Sequence, residues 1–133
     1  WQYPFGALHR TGARLAAGSD WPVSTPDPLA AIHTAVTRTA YGDTGRAGRD
    51  PFLPEQALSL GTAFAAYTSG SAWANHRDLH DGGGTIAPGA VADLVVVDRD
   101  PFAGPPDEIG AARVVVAMAL CSDVLAPLLM RPC

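Results

Sequence analysis

Residues 12–38 read GARLAAGSDWPVSTPDPLAAIHTAVTR, and the fold turns on how this stretch is parsed. Arg14-Leu15-Ala16-Ala17-Gly18 is a short, mostly apolar run closed by Gly18-Ser19-Asp20, the pattern of a buried strand that ends in a loop. The loop Trp21–Pro26 follows, with prolines at 22 and 26. Asp27 then stands directly before Pro28, an N-cap residue followed by proline at the first helical position. Leu29, Ile32, Val36 and Ala40 recur at i, i+3, i+7 and i+11, which predicts one apolar face of a helix over residues 28–40. Strand, loop and helix in succession make a βα unit.

Working outward, residues 41–50 are rich in Gly, Arg and Asp and read as an exposed loop. Pro54 opens a second predicted helix over 54–66, with Ala57, Leu58, Leu60, Ala63, Phe64 and Ala65 as its apolar surface and Leu53 as a poor cap. Thr68 is a candidate cap for a short third helix through Ala72 and Ala74. Beyond Asp81 the text changes character. Gly84–Gly89 is a turn, and the β-branched run Ala92–Asp98 is a strand that Asp98-Arg99-Asp100-Pro101 stops. Ala112–Leu120 is a second strand. Two strands with exposed edges make no stable sheet, so they need partners from outside this chain. The natural division is residues 1–80 and residues 81–133.

The 133 residues are enough for one domain and a core, and 47% hydrophobic with 17% charged residues is ordinary globular composition. A net charge of −4 with nine scattered arginines offers no stripe for nucleic acid or anionic lipid. The absence of lysine removes a Schiff base, a P-loop lysine and a bridging carboxylated lysine from the chemistry available here. Cys121 and Cys133 form no paired motif, so a disulfide scaffold is not expected and a reducing cytoplasm suits the chain. The opening Trp1-Gln2-Tyr3-Pro4-Phe5 carries no signal-peptide pattern and reads as a start in the middle of something. Ala111–Met130 is rather apolar, yet a membrane span there would place Asp123 in hydrocarbon at about 2.5–3.5 kcal/mol, so no membrane span is expected.

Asp20 is the leading candidate for chemistry. It follows an apolar strand at the C-terminal end, where α/β barrels and doubly wound sheets gather catalytic groups. A carboxylate there can bind a metal and accept a proton from water; it can equally organise its own loop through Asx-type bonds. Trp21 flanks it and could stack on a substrate. His76 and His80 have the i, i+4 spacing of a helical zinc pair, but Arg77 stands where the glutamate of H-E-x-x-H belongs. His33 reads as a structural or surface residue. Gly82-Gly83-Gly84 precedes a strand instead of opening a helix, so it reads as a turn and not a phosphate cradle. Ser19 and Ser71 have no adjacent base, and Ser71 lacks the nucleophile-elbow pattern.

GARLAAGSDWPVSTPDPLAAIHTAVTR, EQALSLGTAFAAYTSGSAWA and GGTIAPGAVADLVVVDRDPF, in this order, resemble the amidohydrolase superfamily. The likeness is to its family-3 branch, the relatives of N-substituted formamide deformylase, and it spans roughly residues 1 to 116. The combination of G-S-D-W-P-V with P-G-x-x-A-D-L-V-V-x-D carries the specificity. The resemblance implies an α/β fold: the C-terminal part of a metal-dependent hydrolase (β/α)8 TIM barrel, with residues 1–80 as its last βα unit and closing helices. Residues 81–133 would be strands of a small composite β-sandwich with an atypical tail from Cys121 to Cys133, such as a changed reading frame or a truncated gene produces.

The implied chemistry is hydrolysis of a non-peptide C–N bond in a small amide-type substrate by water activated at a divalent metal, zinc. Asp20 would be the metal ligand and the proton shuttle, with Trp21, Pro22 and Val23 in the substrate loop. The H-x-H pair, the bridging lysine or acid, and the histidines of middle strands are absent here, and a catalytic zinc takes three protein ligands. The missing N-terminal part of the barrel is therefore the partner the resemblance demands. The rival reading is a catalytically inactive remnant, or an interaction module that uses its exposed sheet edges.

Overall fold

The computed structural model describes residues 2–42 and 50–119. The end of the second predicted strand at Leu120, the tail from Cys121 to Cys133 and most of the loop read at 41–50 lie outside the described residues. In order along the chain come α1 (Phe5–Arg10), an extended segment, α2 (Pro28–Thr37), a 3-10 turn (Pro54–Gln56) and α3 (Leu60–Ala65). A single π turn (Ala66–Gly70), α4 (Ser71–Ala74) and α5 (Arg77–His80) follow. Strand β1 (Leu94–Val97), a second 3-10 turn (Pro106–Ala111) and β2 (Val114–Met118) complete the series. The described part is thus mixed helix and strand.

Helix α2 starts where the sequence places it. The Asp27 carboxylate accepts the Leu29 amide at 2.9 Å, and Pro28 occupies the first turn, where a missing N–H costs nothing. It stops at Thr37, three residues short of the predicted Ala40. Arg38 turns left-handed (φ 60°) and its amide closes on the Thr34 carbonyl. The backbone and guanidinium of Arg38 are then held by Phe52: Phe52 N donates to the Arg38 carbonyl and Arg38 Nε to the Phe52 carbonyl, each at 2.9 Å. A contact across 14 residues ends the helix, and no local pattern announces it.

The predicted helix 54–66 is corrected at its start. Pro54–Gln56 forms only a 3-10 turn, Leu53 being left-handed (φ 50°), and the Gln56 side chain turns aside to accept the Ala7 amide of α1 at 2.9 Å. The α-helix begins at Leu60 because Ser59 caps it, its hydroxyl accepting the Thr62 amide at 3.1 Å. Thr68 caps nothing. It lies inside the π turn with its hydroxyl donating to the Phe64 carbonyl at 2.9 Å, so the predicted third helix is the continuation of the second through Ala74.

Strands β1 and β2 pair antiparallel, with Leu94 opposite Met118, Val96 opposite Val116, and a bulge between Val96 and Val97. Asp98 ends β1 by binding back to β2's approach: its carboxylate accepts the Arg113 amide at 2.9 Å and the Arg113 Nε at 3.2 Å. These bonds, the Arg113 amide first, hold the Asp98 carboxyl below the usual carboxylate range. Val95, Val114, Val115, Val116 and Met118 remain exposed.

Leu29, Ile32, Ala63, Ile109 and Ala112 form the buried centre, with Val36, Leu58, Phe64, Tyr67 and Val97 packed around it. It draws residues from both sides of position 81. His33 is buried beside this core, its Nδ1 3.2 Å from the Pro106 carbonyl and its ring edge-on to Tyr41 with centroids 5.1 Å apart. That places it as the structural residue its position in α2 suggests.

Candidate functional site

Residues 13–19 are extended, and burial alternates along them: Ala13, Leu15, Ala17 and Ser19 are half-buried, Arg14, Ala16 and Gly18 exposed. This is the period of a strand, yet among the described residues no ladder pairs it. Its partner is the π turn instead. The Ala17 amide donates to the Ala66 carbonyl at 3.0 Å. The Ser71 hydroxyl lies 2.7 Å from the Ala17 carbonyl and 2.9 Å from the Ala66 carbonyl. Tyr67 OH donates to the Gly18 carbonyl at 3.4 Å, and Arg14 Nη2 to the Ser69 carbonyl at 3.2 Å. Gly70 lets the two backbones meet: a methyl group there would collide with the Leu15 carbonyl. Arg14 also stacks over Trp73, 5.0 Å from its ring centroid.

Asp20 stands at the C-terminal end of this segment, exposed, with a left-handed backbone (φ 50°). Aspartate tolerates that conformation better than most residues. Its carbonyl accepts the Val23 amide at 2.9 Å, closing a turn, and the Trp21 amide donates to the Ser19 hydroxyl at 3.3 Å. The turn presents Trp21 and Val23 to solvent, 65% and 80% exposed, so the loop walls nothing within the described residues. A second turn, through Thr25 and Asp27, leads into α2.

A profile of the amidohydrolase family matches residues 1–120. Over 100 residues the chain is 36% identical to Protein LONG AFTER FAR-RED 3 of Arabidopsis thaliana, covering 75% of this chain and 16% of that protein. Over 99 residues it is 31% identical to N-substituted formamide deformylase of Arthrobacter pascens, covering 74% of this chain and 17% of that one. The chain belongs to the amidohydrolase family. It spans less than a fifth of the length of these two relatives. No solved structure matches it.

Amidohydrolases are generally metal-dependent, and a catalytic metal needs several donors gathered in one place. Among the described residues no three His, Cys, Asp or Glu side chains gather into a group that could hold an ion. Asp20 is a single donor, short of the three a catalytic zinc takes. The described residues therefore do not fit a metal by themselves. His76 and His80 are not a helical pair: His76 is left-handed (φ 59°) and precedes α5, which contains only His80. His9 sits on α1 with Nε2 3.4 Å from the Thr62 hydroxyl, at the edge of a cleft of about 480 Å3 that also takes in Arg14, Leu15 and Ser69.

Gly82-Gly83-Gly84 is a packed turn. Gly84 (φ 77°) passes so close to Thr68 and Ser69 that a methyl group would lie 2.6 Å from the Thr68 carbonyl. Arg77 clamps this turn, donating to Asp81 at 2.7 Å and Asp93 at 2.9 Å. Ser71, which has no nucleophile pattern in the sequence, has a structural place here. Its role is a tether, its hydroxyl reaching the Ala17 carbonyl 54 residues away in the chain, which no local pattern signals.

Proposed function

We propose that this chain contributes Asp20 to an amidohydrolase that hydrolyses a non-peptide C–N bond of a small amide-type substrate. The observation that carries the reading is family membership over residues 1–120 together with the place of Asp20, at the C-terminal end of an extended segment and the mouth of an exposed loop. In this reading Arg14–Gly18 is the last barrel strand, α2 and α3 are barrel helices, and β1–β2 belong to a β-sandwich. The family supplies the (β/α)8 expectation. The exposed valines of β1 and β2 are consistent with neighbours of that kind.

A metal bound by the family's remaining ligands would polarise the substrate carbonyl, and Asp20 would supply one carboxylate to it. Since the described residues do not complete such a site, the steps assigned to this chain are those of Asp20 alone. Its carboxylate accepts a proton from the attacking water as the new C–O bond forms, then returns it to the leaving nitrogen as the C–N bond breaks. Water and amide become acid and amine, and the carboxylate is regenerated. Trp21 and Val23, exposed beside it, would cover the apolar part of the substrate.

The test is hydrolysis of N-formyl, simple amide and cyclic-urea substrates by the purified protein with zinc added, beside Asp20→Asn. Loss of turnover in a folded Asp20→Asn variant supports the reading, and retained turnover sinks it. No turnover in either, with no stoichiometric zinc bound on titration, favours an inactive remnant or interaction module, for which the two exposed sheet edges are the supporting observation.

A further inference from the structure

We infer that the π turn Ala66–Gly70 and the residue that follows it, Ser71, are the mount that sets the position of Asp20, with Ser71 as the positioning residue. The inference rests on the catalytic reading of Asp20. It is drawn from where the backbone bonds of residues 14–18 go. Both backbone polar groups of Ala17 are taken by this one turn: its amide by the Ala66 carbonyl at 3.0 Å, its carbonyl by the Ser71 hydroxyl at 2.7 Å. The Gly18 carbonyl is taken by Tyr67 OH, and Gly70 admits the Leu15 carbonyl. Four of the six residues from Ala66 to Ser71 thus touch the three residues Leu15, Ala17 and Gly18, and Asp20 is two positions further on.

The π geometry is what makes this arrangement available. A π turn closes its bonds at i→i+5 and widens the helix by one residue, so its carbonyls leave the regular ladder. Here the Ala66 carbonyl accepts an outside amide and lies 2.9 Å from the Ser71 hydroxyl, whose single proton goes to the nearer Ala17 carbonyl or is shared between the two. Single π turns interrupting α-helices are found frequently at functional sites. The fully buried centre takes Ala63 from α3, and the π turn adds Tyr67 at its margin while its Ala66 and Gly70 face the segment 15–18. The helix gives up regular bonding over the stretch that meets Asp20's segment.

The test reads position directly, so it does not depend on turnover. In isotope-labelled protein, amide exchange at Ala17 and the backbone amide and side-chain carboxyl chemical shifts of Asp20 at one fixed pH are followed in wild type, Ser71→Ala, Ser71→Thr and Ser69→Ala. Ser69 is the control, because its hydroxyl bonds only its own helix, at the Ala65 carbonyl. Ser71→Ala is expected to lower Ala17 protection by roughly 5–10-fold, the worth of one hydrogen bond, and to move the Asp20 resonance. Ser71→Thr restores both, and Ser69→Ala changes neither.

Wild-type Ala17 protection and Asp20 resonance in Ser71→Ala would overturn the inference, as would a Ser71→Thr protein that keeps Ile32 protected yet behaves as Ser71→Ala. Should Ser71→Ala unfold, Tyr67→Phe is read in its place. It must move Gly18 and Asp20 while leaving Ile32 protected, and failure to do so is equally fatal. A mount that passes while Asp20→Asn keeps full turnover would sink the catalytic reading alone.

Discussion

Replacing Gly70 by alanine pits two effects of opposite sign against each other. The backbone of Gly70 is ordinary right-handed helix (φ −67°, ψ −48°), so its conformation does not call for glycine. In a helix with open space at this point, Gly→Ala stabilises by about 0.8–1 kcal/mol. Here the new methyl collides with the Leu15 carbonyl and lies 3.1 Å from the Ala65 carbonyl, both backbone atoms that cannot rotate away. Relief requires the segment 14–18 to lift off, which breaks the Ala17–Ala66 and Ser71–Ala17 bonds at about 0.5–1.5 kcal/mol each, besides the 1–3 kcal/mol usual for overpacking. The clash wins, and a net loss of about 1–5 kcal/mol is expected. In urea unfolding the midpoint should fall by roughly 1 M, given slopes of about 1–3 kcal/mol/M. Gly61→Ala is the matched control, since nothing lies within 4 Å of the methyl it adds, and it should be neutral or stabilising. A Gly70→Ala protein as stable as wild type, or more so, would refute the packing of residues 14–18 on the π turn.

Two further outcomes follow from the core and the charged turn. Ile32 is 2% exposed at the centre of the core, so Ile32→Ala should cost about 2–5 kcal/mol, measured by the same unfolding curves; a cost below 1 kcal/mol would mean the cluster around Ile109 is loose. The Asp81 carboxyl is held below the usual range first by its hydrogen bond from Arg77, against some desolvation. A depressed carboxylate adds stability above its unfolded pKa, which is lost as pH falls through the folded value, below about pH 4. In Arg77→Gln the Asp81 carboxyl should titrate closer to its ordinary range while Asp98, which relies on Arg113, stays low; an unmoved Asp81 in a carboxyl titration would contradict the clamp.

What was legible in the sequence is what rests on neighbours in the chain. Asp27-Pro28 starts α2 because a cap and a proline act on the next turn only. The run Leu94–Val97 is a strand because β-branched residues prefer extended backbone. The motifs around Asp20 and Asp93 were enough to place the chain in its family, and the likeness over residues 1–120 agrees. The place of Asp20, directly after the apolar segment, is likewise read from the chain alone.

Wherever a distant residue decides the outcome, the pattern ran out. Phe52 holds Arg38 where α2 ends at Thr37; Gln56, inside the predicted helix, is engaged with α1; and Thr68 sits in a π turn that no local preference encodes. The sequence by itself determined which residues are extended or helical over short spans, and which carboxylate ends the segment at 13–19. Only the tertiary structure decided that this segment leans on Ala66–Ser71 in place of a neighbouring strand. Backbone hydrogen bonds are carried by every residue alike, so their partners are chosen by which surfaces can approach, and at Gly70 that approach is set by the absence of a single methyl group.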